Sequence, residues 1–172
     1  NCIIMSPTRE LAQQIDQAMQ GFGYYLNGIS SVAVYGGNDG TRYDQEMRSL
    51  RMGADVVIAT PGRLLSHIRM GNVDLSRVSF FVLDEADRML DMGFYDDIMT
   101  IVKGLPENRQ TIMFSATMPD KIQALARNIL YKPVEVKIAV SKPAEKIQQS
   151  AFVCYDTQKL PILRHIFATE EQ

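Results

Sequence analysis

Residues 78–87 read VSFFVLDEAD, an apolar run of strand length that ends in acidic side chains. Only Ser79 interrupts the apolar part, as expected of a strand covered on both faces in the middle of a parallel sheet. Asp84, Glu85 and Asp87 would then lie where this strand stops. Because such buried central strands occur in α/β proteins, this stretch decides the fold class.

Similar apolar runs alternate with segments of helical period along the chain, which indicates a parallel sheet wrapped by crossover helices. We predict strands at residues 2–5, 31–35, 55–59, 78–83, 111–114 and 134–140. The first helix is predicted to carry Leu11, Ile15, Ala18 and Phe22 on one buried face. The predicted fold is therefore α/β, a three-layer open parallel sheet flanked by helices.

The domain organisation follows from a change of character after residue 140. Residues 141–150 are mostly polar, include a proline and predict a linker between a first domain at 1–140 and the beginning of a second at 151–172. In the second domain we predict a strand at 151–155 and a helix from about Gln158, with Pro161 in its first turn.

Composition excludes several classes of protein. The 172 residues are 46% hydrophobic and 22% charged, ordinary values for a globular protein. No apolar run approaches the roughly 20 residues of a membrane span, so no membrane is expected. We interpret Cys2 and Cys154 as buried thiols of a cytoplasmic protein. The net charge of −2 argues against binding nucleic acid by bulk electrostatics, so any such binding would need a few placed groups.

Short polar or glycine-rich stretches follow directly on five of the predicted strands. They are SPTRE at residues 6–10, GG at 36–37, TPGR at 60–63, DEAD at 84–87 and SAT at 115–117. Ligands of open parallel sheets bind beyond the carboxyl ends of the strands, so these five stretches predict one functional edge.

The acidic stretch admits two interpretations. One carboxylate at a strand end can hold Mg²⁺ through water beside nucleotide phosphates, and a second can orient or deprotonate an attacking water. Alternatively, Asp84 or Asp87 caps the helix that follows. Ser115 and Thr117 could be turn or capping residues, or could hydrogen-bond to the acidic strand end across the sheet. The residues alone leave these alternatives open.

The proline-containing stretches are also open to two interpretations. Ser-Pro at 6–7 and Thr-Pro at 60–61 each predict the start of a helix. Such helix N-termini can be purely structural, or their free N–H groups can bind phosphate, with Arg9 and Arg63 adding charge-assisted bonds. The glycines at 36–37 either form a plain turn or let a ligand backbone approach closely.

In order and spacing, these stretches resemble the motifs of the DEAD-box RNA helicases. The resemblance includes PTRELA at residues 7–12 and extends to FVL at 81–83 and RMLDMGF at 88–94, which are similar to the bacterial branch of the family. It implies a RecA-like domain of the P-loop NTPase fold, in an enzyme that hydrolyses ATP to unwind or remodel short RNA duplexes.

The resemblance also implies roles for individual residues. Asp84 would coordinate Mg²⁺ through water and Glu85 would activate the hydrolytic water, so both would contact the ATP cofactor. Asp87, Ser115 and Thr117 would couple hydrolysis to strand separation. RNA would be held by its sugar-phosphate backbone, with little base specificity. The residues implied in RNA binding are Pro7, Thr8, Arg9, Gly36, Gly37, Thr60, Pro61, Gly62 and Arg63.

Two parts of the family pattern are missing. The sequence contains no G-x-x-x-x-G-K-[ST] phosphate loop and none of the motifs of the family's second domain. We therefore expect the loop and its strand upstream of Asn1, the alternative being that another chain supplies that strand. We also expect a second helicase domain in cis, and no ATP hydrolysis by these 172 residues alone. Two alternatives stay open: a DNA-directed helicase of the same superfamily, and a non-enzymatic RNA-binding module with this fold.

Overall fold

The computed structural model describes residues 1–37, 40–138 and 150–169. Five strands form one sheet: β1 (Cys2–Met5), β2 (Ser31–Val34), β3 (Val56–Ala59), β4 (Phe80–Leu83) and β5 (Gln110–Met113). The helices of the described residues are α1 (Arg9–Gly23), α2 (Gly40–Met52), α3 (Pro61–Arg69), α4 (Ala86–Asp91), α5 (Tyr95–Lys103), α6 (Asp120–Ile129) and α7 (Asp156–Thr169). All strand pairs are parallel, in the order β2-β3-β1-β4-β5, which confirms the α/β prediction.

Side chains alternate between two faces of the sheet, and each face has its own core. On one face, Ala12 of α1 packs with Val56 and Ile58 of β3. On the other, Phe81 and Leu83 of β4 belong to a larger cluster to which each of α2 to α6 contributes buried side chains. Helices therefore cover both faces, as predicted for three layers, and β3 is buried along its whole length.

The predicted face of α1 is right for Ile15, which packs against the smaller core, and wrong for its last two residues. Ala18 is exposed and Phe22 is 71% exposed, whereas Ala12 is buried and Met19 packs against the smaller core. Two adjacent apolar stripes fit the helical period in this segment, and the periodicity alone does not distinguish them. The choice is made by packing against the side chains of β3.

Two predicted strands are not formed in the described residues. Residues 134–138 and 151–155 have no strand structure, and Val134 and Ile138 are each 90% exposed. A strand requires a hydrogen-bonded neighbour, and none of the described strands pairs with either segment. Residues 139–140 of the first prediction and 141–149 of the predicted linker lie outside the described residues.

The chain divides into two compact units, Asn1–Pro133 and Val134–Gln172. The first contains the sheet and α1 to α6, and the second contains α7. Helix α7 begins two residues before the predicted start, so Pro161 is inside the helix and not in its first turn, which corrects that prediction. The domain boundaries at 140 and 151 stay a prediction.

Two features bear on the environment of the protein. Within the described residues, no helix has the length and apolar character to cross a bilayer. Both cysteines are free but half-buried, so the prediction of fully buried thiols is wrong in degree. Burial of Cys2 raises the pKa of its thiol above the ordinary value.

Candidate functional site at the carboxyl edge of the sheet

The five strands end in a single row. Their last residues are paired in register across the sheet: Val34, Ala59, Met5, Leu83 and Met113. In four cases the first residue after a strand donates its amide to the last carbonyl of a neighbouring strand. These bonds run from Thr60 to Val34 (3.1 Å), Ser6 to Ala59 (3.0 Å), Asp84 to Met5 (2.9 Å) and Phe114 to Leu83 (2.8 Å). The predicted convergence of the five stretches at one edge is therefore confirmed.

The order of the strands sorts these stretches into two groups. Along the edge they run 36–37 after β2, 60–63 after β3, 6–10 after β1, 84–87 after β4 and 115–117 after β5. The three stretches with implied RNA contacts thus follow three adjacent strands. The two stretches with implied catalytic residues follow the remaining pair. Chain order has the same division, because the stretches at 6–10, 36–37 and 60–63 all precede those at 84–87 and 115–117. The sheet adds that the stretch at 6–10 lies between those at 60–63 and 84–87.

The acidic pair lies at a strained turn. Glu85 has left-handed backbone angles (φ 51°, ψ 52°) and is the N-cap residue of α4, but its side chain makes no capping bond. An Oδ1 oxygen of Asp84 accepts from the amide of Glu85 at 3.0 Å. Left-handed angles cost roughly 1–3 kcal/mol for a non-glycine residue, and such strain concentrates at functional sites. Neither Asp84 nor Asp87 caps α4, so the capping alternative is not supported.

Arg88 lies beside the second member of the pair. Its Nη1 donates to Oε2 of Glu85 at 3.1 Å, and both side chains are about half exposed. An ion pair this exposed contributes little to stability, about 0–1 kcal/mol. The carboxylate of Glu85 is therefore accessible and only loosely held.

Asp87 joins the ends of β4 and β5. Its Oδ2 accepts from the amide of Thr117 at 2.9 Å and from Oγ1 of Thr117 at 2.8 Å. Partial burial would raise the pKa of Asp87. The hydrogen bonds from Thr117 and from the amide of Arg88 outweigh it and hold the pKa below its ordinary value. The cross-sheet bond predicted for Thr117 is thus present, while Oγ of Ser115 donates to the carbonyl of Thr117 at 2.7 Å.

Two helix N-termini contribute to the other group. Helix α3 begins with Thr60 as N-cap and Pro61 at its first position, as predicted, and the hydroxyl of Thr60 makes no capping bond. Helix α1 has Thr8 as N-cap, and its Oγ1 accepts from the amide of Leu11 at 3.3 Å. The helix start predicted at residues 6–7 is therefore wrong by two residues, because Thr8 supplies the cap.

Arg9 and Gly37 lie together although β3 separates their strands. A Cβ atom placed on Gly37 would lie 3.6 Å from Nη1 of Arg9. The guanidinium therefore lies beside the backbone of the glycine turn, at a distance where a Cβ would make ordinary van der Waals contact with it. This contact links the stretches at 6–10 and 36–37.

One charged residue at this edge was not identified from the sequence. Glu46 of α2 is 4% exposed and accepts from Nε of Arg63 at 2.6 Å, and the amide of Tyr35 donates to it at 3.3 Å. Its burial could have been inferred from its spacing to Leu50. Glu46 precedes this buried residue by one helical turn, so both side chains face the sheet. No group of three or more potential metal ligands is found among the described residues, so Glu46 and the nearby His67 are not a metal site.

Comparison with known proteins agrees with this geometry. The model of the DEAD/DEAH box helicase family matches residues 1–125. Three similar bacterial proteins are each named ATP-dependent RNA helicase DeaD, and each match covers 98% of this chain. They are from Haemophilus influenzae (45% identical), Klebsiella pneumoniae (44%) and Escherichia coli K12 (43%). The chain spans only 26–27% of the length of these relatives. The family match leads to one conclusion: the chain belongs to the DEAD/DEAH box helicase family, as the resemblance implied.

Proposed function

We propose that the protein containing this chain is an ATP-dependent RNA helicase that unwinds or remodels short RNA duplexes. One observation carries the proposal: the acidic pair after β4 is linked through Asp87 to Thr117 after β5. It lies in the same row as three stretches suited to phosphate binding. The names of the three relatives agree with this activity.

Asp84 is the residue proposed to hold Mg²⁺ beside the ATP phosphates. Mg²⁺ is usually bound by one or two carboxylates, several waters and the substrate phosphates, and not by an all-protein cage. The half-buried Asp84 at a strand end suits this arrangement, as does the lack of a larger ligand cluster in the described residues. When bound, the ion would neutralise charge that develops on the phosphates. The phosphate loop would come from a part of the protein outside these 172 residues.

Glu85 is proposed to orient and deprotonate the attacking water. Its carboxylate is accessible, and the strained backbone fixes the direction in which the side chain leaves the strand end. Asp87, Ser115 and Thr117 would transmit the change in the nucleotide site to β5, because Thr117 binds Asp87 through both its amide and its hydroxyl. In this scheme the side chains after β4 and β5 serve hydrolysis and its coupling to strand separation.

RNA is proposed to bind through its backbone to the stretches after β2, β3 and β1. Free amides at the starts of α1 and α3 and the guanidiniums of Arg9 and Arg63 are donors suited to phosphates. A few placed donors reconcile RNA binding with the net charge of −2. The whole proposed set is Pro7, Thr8, Arg9, Gly36, Gly37, Thr60, Pro61, Gly62 and Arg63. With free cysteines, a cytoplasmic location is proposed.

Glu85→Gln in the whole protein tests this function. We expect ATP binding to stay within about twofold, while RNA-stimulated phosphate release falls at least about 100-fold, the usual effect of losing a general base. Glu107→Gln, the same change at an exposed glutamate away from the edge, is the control and should release phosphate normally. Turnover by Glu85→Gln equal to that of the control would remove Glu85 from this role.

A further inference from the structure

Glu46 is a buried acid that the proposed chemistry does not use. Its side chain is 4% exposed, and its two oxygens have three hydrogen-bonded partners and one further ion-pair partner. Oε1 faces the amide of Tyr35 at 3.3 Å and Nε of Arg42 at 3.5 Å. Oε2 faces Nε of Arg63 at 2.6 Å and Nε2 of His67 at 3.1 Å. Burying a charge is costly unless it is paired and hydrogen-bonded, so this carboxylate is fully committed to its neighbours.

The surrounding hydrogen bonds fix the proton of His67. Oδ1 of Asn72 accepts from Arg51 at 3.0 Å, which orients the amide so that its Nδ2 is directed to Nδ1 of His67 at 3.2 Å. Nδ1 is therefore the acceptor, and Nε2 carries the proton that is donated to Glu46. The ring is fully buried and stacks on Tyr43 with centroids 4.4 Å apart. His67 is thus a rigid donor that holds Oε2 of Glu46 in place.

The same network fixes the guanidinium of Arg63. Its Nε is bound by Glu46, and its Cζ lies 4.4 Å from the centre of the Tyr43 ring. Only 14% of the side chain is exposed. Nη2 of Arg63 is itself buried, and among the described residues it has no hydrogen-bond partner. A guanidinium has five N–H donors in a fixed fork, so the bond from Nε to Glu46 leaves four donors of Arg63 unused by that carboxylate.

Glu46 also reaches a second stretch of the edge. The amide that it accepts belongs to Tyr35, the residue immediately before the glycines at 36–37. One carboxylate therefore holds both the end of β2 and the arginine that follows β3. These are two of the three stretches proposed to contact RNA.

We propose that Glu46 is a positioning residue, which holds Arg63 and the turn after β2 in the arrangement that binds an RNA backbone. The proposal deepens the function proposed above and rests on it. In this proposal Glu46 does not itself contact RNA. A carboxylate repels phosphate, and the groups paired with its oxygens all belong to the protein. It acts by keeping Arg63 ordered before RNA arrives.

Two effects of removing Glu46 oppose each other. Loss of a negative charge near the phosphates strengthens binding, but by only about twofold, because the ion pairs with Arg42 and Arg63 already offset much of that charge. Without the Glu46 carboxylate, Arg63 must be ordered when RNA binds, and its charge-assisted contact with phosphate is weakened. The affinity for RNA should fall about tenfold through this effect. The second effect is larger, so Glu46→Ala should weaken RNA binding about fivefold.

The experiment measures single-stranded RNA binding by the whole protein with a non-hydrolysable ATP analogue, using fluorescence anisotropy at several salt concentrations. The variants are Glu46→Ala, Glu46→Gln, Arg63→Ala and the Glu46→Ala/Arg63→Ala double variant. Arg63→Ala should weaken binding about tenfold and reduce the salt dependence by about 0.7, the slope for one contact to a single strand. The double variant should bind about twofold more tightly than Arg63→Ala, because only the charge effect of removing Glu46 is left once Arg63 is gone. Glu46→Gln keeps the volume and one acceptor oxygen, and should lie between wild type and Glu46→Ala.

Two further measurements separate positioning from general damage. In Glu46→Gln the RNA concentration for half-maximal ATPase stimulation should rise, while kcat at saturating RNA and KM for ATP stay unchanged. Gln45→Ala, an exposed neighbour on α2, should behave as wild type in every assay.

Wild-type or tighter RNA binding by Glu46→Gln and Glu46→Ala would overturn the positioning role. So would a double variant whose losses add, since Glu46 would then act independently of Arg63. Wild-type binding by Arg63→Ala would instead remove Arg63 from the proposed RNA site, and the role of Glu46 with it. Failure of the function and failure of the inference are thereby distinguished. If Glu46→Ala does not fold, Glu46→Gln decides.

Discussion

Replacing Thr117 by valine tests the link between β4 and β5 directly. The change removes the Oγ1 donor that lies 2.8 Å from Oδ2 of Asp87 and leaves the amide donor at 2.9 Å. A hydrogen bond to a charged group contributes roughly 1.5–3 kcal/mol. Thr117 is exposed and Asp87 is only partly buried, so screening reduces this to about 1 kcal/mol. For a domain of this size the midpoint of thermal unfolding should fall by about 3 °C.

The pH dependence of that loss can be stated with its sign. The pKa of Asp87 is lower in the folded chain than in the unfolded chain, so the unfolded state takes up the proton first. The stabilisation is therefore present above the ordinary aspartate pKa of about 4 and is lost as the pH falls through the lower folded pKa. The difference between wild type and Thr117→Val should be constant near pH 7 and shrink below about pH 4.

Urea denaturation of wild type, Thr117→Val, Asp87→Asn and the double variant provides the measurement. The free energy of unfolding should show a coupling of about 1 kcal/mol between the two positions at pH 7. Thr100→Val is the matched control, because its hydroxyl donates to a carbonyl of its own helix, and it should change stability by less than about 0.5 kcal/mol. Additive losses, or a coupling that persists unchanged in acid, would refute the reasoning.

Three further predictions concern the core, the ligand and the extent of the chain. Phe81→Ala should destabilise the sheet by about 4 kcal/mol in urea denaturation, because Phe81 is fully buried. Phe80→Ala on the opposite, 44% exposed side should cost much less, and equal losses would contradict the assignment of the larger core. In the whole protein, ATP hydrolysis should be stimulated by single-stranded RNA and not by DNA of the same sequence. Equal stimulation would favour the DNA-directed alternative, and no hydrolysis with either would favour the non-enzymatic RNA-binding alternative. The 172 residues alone should release no phosphate from ATP with RNA present, because they contain no phosphate loop. RNA-stimulated phosphate release above that of the same 172 residues carrying Glu85→Gln would contradict this.

Much of the fold follows from short-range patterns in the sequence. The strands up to residue 113 were predicted to within two residues at their ends, because apolar runs between turn residues have few alternatives. Their common edge was also predictable, since all strands of a parallel sheet have their carboxyl ends on the same side. The acidic and glycine-containing stretches were identified by their positions after these strands.

Long-range packing decided the rest. The spatial order β2-β3-β1-β4-β5, which places the stretch at 6–10 between those at 60–63 and 84–87, depends on pairings between strands far apart in sequence. The buried face of α1 was settled by contact with β3, and residues 134–138 form no strand without a neighbour. The sequence by itself determined which stretches lie at the edge, because the local change from apolar to polar residues shows where each strand ends. Only the tertiary structure revealed that Glu46 holds Arg63, because a charge can be buried only where distant residues supply its partners.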